Sequence, residues 1–242
     1  MAEAFFWGLF AATSLILGAA VVAVNMPSAQ TLGLIMGFGS GVLISAVAFE
    51  LVEEAASVPD GEGATAVGFF TGTAVFLLGD KAISSMGYRD RKRMNAVHSA
   101  SGLAIVLGIV LDGVPESAVL GLTLLESGTI GVAVLAAVFL SNLPESIAAT
   151  SGLRASGWGW GGIYGLWSGI AVVSGIAAAV GYQLMSAASP SAFAFVLAFA
   201  GGAILAMLAT TMMPEAYEYG GRLVGVTTTI GFAAAFAISW VS

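Results

Sequence analysis

Two stretches of this sequence, LDGVPESAVL at residues 111 to 120 and SNLPESIAAT at 141 to 150, set the same Pro-Glu-Ser core twenty-nine positions apart in apolar surroundings. On a helix, Asp112 and Glu116 are spaced i, i+4 and share a face; so do Ser141 and Glu145, with Asn142 beside them. Pro115 and Pro144 carry no N–H for the carbonyls of Leu111 and Leu140, so each helix bends and leaves an oxygen without its in-helix donor. A carboxylate among hydrocarbon costs at least ~2.5 to 3.5 kcal/mol. Three of them, Asp112, Glu116 and Glu145, therefore call for compensation, which a divalent cation supplies most directly. Ser141 and Asn142 would add neutral oxygens, and waters would complete the shell. Such an oxygen-only set is harder than a usual zinc site and leans toward manganese, iron or magnesium.

The elements that must position these residues are membrane helices. Of 242 residues 58% are hydrophobic and only 9% charged, which excludes a soluble globular domain. Apolar runs of about 20 residues, the length needed to cross the hydrocarbon, recur along the chain. They are continuous rather than alternating, which argues against a spanning barrel. The reading is an all-α polytopic membrane protein, a single transmembrane domain over 1–242. Its eight helices are placed near 4–24, 31–54, 64–85, 97–125, 129–154, 158–187, 191–217 and 222–241. The first run has no basic segment before it and reads as a span rather than a cleaved signal. With a turn near Ser127, Asp112 and Ser141 fall at one depth near the bilayer centre. Lys81, Arg89, Arg91, Lys92, Arg93, Arg154 and Arg222 all fall on connections of one side, which is then cytoplasmic; both termini face outward across a cell membrane. The run RDRKR at 89 to 93 is a positive-inside anchor in contact with membrane lipid, and nothing supports a nucleic-acid partner. Cysteine is absent, so neither disulfide nor thiolate ligand contributes.

An internal repeat adds to this. FGSGVLISAVAFELVEEA, 38 to 55, aligns without gaps on FAGGAILAMLATTMMPEA, 199 to 216, pairing Phe38 with Phe199, Gly41 with Gly202 and Glu54 with Glu215. These are spans two and seven, which run oppositely in an eight-span chain, as in inverted-repeat transporters. Spans four and five are related in the same way, giving a 3+2+3 plan.

On these residues the chain resembles the ZIP family of divalent metal transporters. The family's fourth span carries His-Asn-x-Pro-Glu-Gly, its fifth a related x-x-x-Pro-Glu-Gly, and its seventh ends in Ile-Pro-Glu-Ala. The two glutamates are kept here as Glu116 and Glu145, whereas Asp112 and Gly113 stand for His-Asn, and Ser117 and Ser146 for the glycines. Val172 falls where many relatives place a further glutamate, and Thr210 and Thr211 fall on the metal-binding pair of span seven. The resemblance implies a transporter carrying one divalent cation as substrate toward the cytoplasm, with no cofactor, and a homodimer. It also keeps zinc a leading candidate.

Beyond the centre, Glu50 and Glu54 share a face at the outer end of span two, placed to guide a cation inward; Glu215 and Glu218 mirror them for exit. His98, the single histidine, stands at the cytoplasmic start of span four as a helix-start residue or an exit ligand. An enzyme is not expected: there is no phosphate-binding GxxxxGK[ST] loop and no HExxH, and Asp80 lacks the context of a membrane aspartyl protease. The alternatives are a non-transporting sensor or scaffold of the same fold and, more remotely, an intramembrane hydrolase.

Overall fold

The computed structural model describes residues 1–59, 61–83, 113, 116–125, 128 and 130–241. Its helices, in chain order, are α1 (Ala2–Val24), α2 (Ala29–Ser57), α3 (Glu62–Ile83), α4 (Glu116–Leu125), α5 (Val132–Ala155), α6 (Trp160–Met185), α7 (Pro190–Gly220) and α8 (Leu223–Val241). Seven of these are long and apolar enough to cross a membrane; α4 is shorter over its described residues. The boundaries lie close to the sequence reading. The stretch expected to open span four, from 97 onward, is outside the described residues except for Gly113, as are His98, Asp112 and the RDRKR run.

Helices α2 and α7 are built alike. Ser28 caps α2 by accepting from the Thr31 N–H, and Ser189, at the 161-residue offset of the repeat, caps α7 by accepting from the Ala192 N–H. Each helix then widens into a π-helical turn at the aligned place, Val47–Val52 in α2 and Leu208–Met212 in α7, before resuming as an α-helix.

The helices are held together by glycines that leave no room for a side chain. A Cβ at Gly72 of α3 would land on the carbonyl oxygen of Phe199 in α7, and one at Gly202 of α7 on that of Phe69 in α3. The same reciprocal pair recurs between α8 and α2, where Gly231 abuts the Phe38 carbonyl and Gly41 the Thr228 carbonyl. Small residues at such crossings bring backbones close enough for dispersion to hold helices together where lipid offers no hydrophobic drive.

The contacts sort the helices into two groups. In one, α2 packs on α8, α3 on α7, and α2 on the end of α7. In the other, α1 lies against α5 and α6, and α4 joins α6 through Gly121, which faces the Ala178 carbonyl. A separate apolar cluster, with Leu15 of α1, Leu153 of α5, and Ile163 and Trp167 of α6, packs between those three helices, and the buried Trp167 indole donates to Thr150 Oγ1 of α5 at 2.9 Å; Leu120 of α4 and Ala137 of α5 belong to the main core with α2 and α7. Arg154 closes the α5–α6 connection by donating to the Trp158 carbonyl (2.7 Å) and lying over the Trp160 ring (4.6 Å). The groups meet where α5 lies against α2 and where Val119, Leu120 and Leu122 of α4 join the core of α2 and α7.

Candidate metal centre

Pro144 lies inside α5, buried, and sets the level of the candidate centre. Just before it, Ser141 and Asn142 are 0% and 5% exposed, and Glu145 just after it is half-buried. From α4, Glu116 is 1% exposed. The Ser141 hydroxyl lies 3.4 Å from Glu116 Oε2 and 3.1 Å from the carbonyl oxygen of Val138. Its proton serves one acceptor at a time, and the shorter distance favours the backbone, leaving a hydroxyl lone pair available to share a guest with the carboxylate. Adjacent ligands about 90° apart on a hard cation lie roughly 2.9 to 3.7 Å from one another for the metal–oxygen distances of magnesium to calcium. The 3.4 Å separation falls in that range.

Oxygen Oε1 of Glu116 and Oε1 of Glu145 are both sealed from solvent. Charge held this far from water must be neutralised or balanced by something in the site. The serines of the two Pro-Glu-Ser cores also donate to backbone: Ser117 Oγ to the Gly113 carbonyl at 2.7 Å, and Ser146 Oγ to the Leu143 carbonyl at 2.9 Å. Ser146 is also a packing residue, set against Gly18 of α1 so closely that a Cβ there would collide with its hydroxyl.

Of the five expected ligands, the structure thus sets Glu116 against Ser141, with Asn142 and Glu145 on the same stretch of α5; Asp112 lies outside the described residues. Among the described residues no group of three or more His, Cys, Asp or Glu could hold a metal ion. The described residues of the candidate centre are two carboxylates, Glu116 and Glu145, with the neutral oxygens of Ser141 and Asn142.

The residues expected at the two mouths are placed differently. Glu50 lies on the π-helical turn of α2 and accepts a hydrogen bond from Ser239 Oγ of α8 at 2.5 Å, while Phe49 beside it packs on Phe232 and Phe236. Glu54 instead lines a cleft of about 290 Å³ with Glu53, Ser57, Ser239 and Trp240. Glu50 and Glu54 are therefore linked through Ser239, which donates to the one and lines the cleft with the other. At the far end of α7, Glu215 is half-buried and Glu218 exposed, and His98 is outside the described residues.

Sequence reasoning missed Ser239 and Gly39. A Cβ on Gly39 of α2 would lie 3.2 Å from the Leu140 carbonyl oxygen and 3.6 Å from Ser141 Cα. The oxygen that Pro144 leaves without an in-helix donor therefore faces α2. A polar Ser239 in a closing apolar span was the only local hint of the first contact; nothing local marked the second. In comparisons with known proteins, no family model matches this chain and no curated protein matches it.

Proposed function

We propose that this chain is a ZIP-like transporter that moves a divalent metal cation, zinc or one of manganese, iron and magnesium, toward the cytoplasm. The observation that carries the reading is the buried approach of Glu116 on α4 to the Ser141 hydroxyl on α5, with Asn142 and Glu145 alongside. Two helices that bring carboxylate, amide and hydroxyl oxygens together inside an apolar bundle favour a desolvated cation over any apolar or anionic guest.

The eight-span, 3+2+3 inverted arrangement belongs to this proposal. It is supported by the serine caps, π-helical turns and reciprocal glycine contacts that recur at corresponding positions of the repeat. The placement of both termini outside rests on the lysines and arginines of the connections. Transport follows if the group α1, α4, α5 and α6, which holds the ligands, shifts against α2, α3, α7 and α8, opening the centre to one side and then the other. The acidic cleft with Glu53 and Glu54 would gather cations at one mouth. An inside-negative potential is sufficient drive, at ~2.3 kcal/mol per charge per 100 mV and twice that for a divalent ion.

The test is uptake by the full chain in proteoliposomes, with zinc, manganese, iron and magnesium competing. Saturable uptake of at least one, abolished by Glu116→Ala or Glu145→Ala, is the expected result. Vesicles no more permeable than protein-free ones would overturn the proposal.

A further inference from the structure

We draw no further inference here: the strongest candidate, the acidic cleft of about 290 Å³ lined by Glu53, Glu54, Ser239 and Trp240 where α2 and α8 end, has no buried polar side chain among its lining residues and carries no mark of a ligand beyond its carboxylates.

Discussion

At Glu116 and Glu145 the protein keeps carboxylate oxygens sealed from solvent, and charge buried there is a cost to the fold that, on the proposed function, a bound cation reduces. Replacing either by glutamine keeps the shape and removes the charge. Glu116→Gln and Glu145→Gln should therefore melt at or above the wild-type temperature without metal, but lose the stabilisation that saturating metal confers, about 2.7 kcal/mol at a hundredfold excess over Kd. Melting curves with and without manganese or zinc check both halves. Ser141→Ala, which removes one neutral oxygen beside Glu116, should weaken metal affinity by about tenfold and leave the fold intact, as read by equilibrium binding. These residues were legible in the sequence because proline, acid and i, i+4 spacing are local signals repeated twice. Glu50 with Ser239, and Gly39 with Leu140, were not, because no short-range pattern pairs positions that meet only through the fold.

Helices were legible for a simple reason: only a run of about 20 apolar residues spans hydrocarbon, and such runs announce themselves. The π-helical turns in α2 and α7 were not, since widening a helix by one residue per turn answers to packing rather than to composition. The alignment of 38–55 with 199–216 did anticipate that the two helices would be built alike, as their matching caps and turns show. Their lock glycines give an element-scale prediction. Gly72→Ala or Gly202→Ala should destabilise the protein by roughly 1 to 3 kcal/mol, because the methyl meets backbone. Gly165→Ala on α6, where nothing lies within 4 Å, should be neutral or stabilising by roughly 0.5 to 1 kcal/mol. Denaturation of the purified proteins in one detergent distinguishes the two classes.

For the molecule as a whole, the grouping of α1 and α6 with α4 and α5 was hidden from sequence reasoning because small residues occur on every span and do not say which partner they face. The Trp167 to Thr150 bond and the fold-back of Arg154 onto Trp158 and Trp160 tie α6 to α5, so the helix that carries Ser141, Asn142 and Glu145 is packed into a larger body. A cross-link within that body, between α5 and α6, should leave uptake intact, whereas one between α2 and α5 should stop it; paired cysteines introduced into this cysteine-free chain make the comparison clean. The central claim is that both helices hold one ion together, and a double-mutant cycle of equilibrium metal binding addresses it most directly. If they do, Glu116→Gln and Glu145→Gln should each weaken binding nearly as much as the two combined, since a site that needs both carboxylates is lost with the first. Binding left at the wild-type affinity in the combined variant would contradict the account.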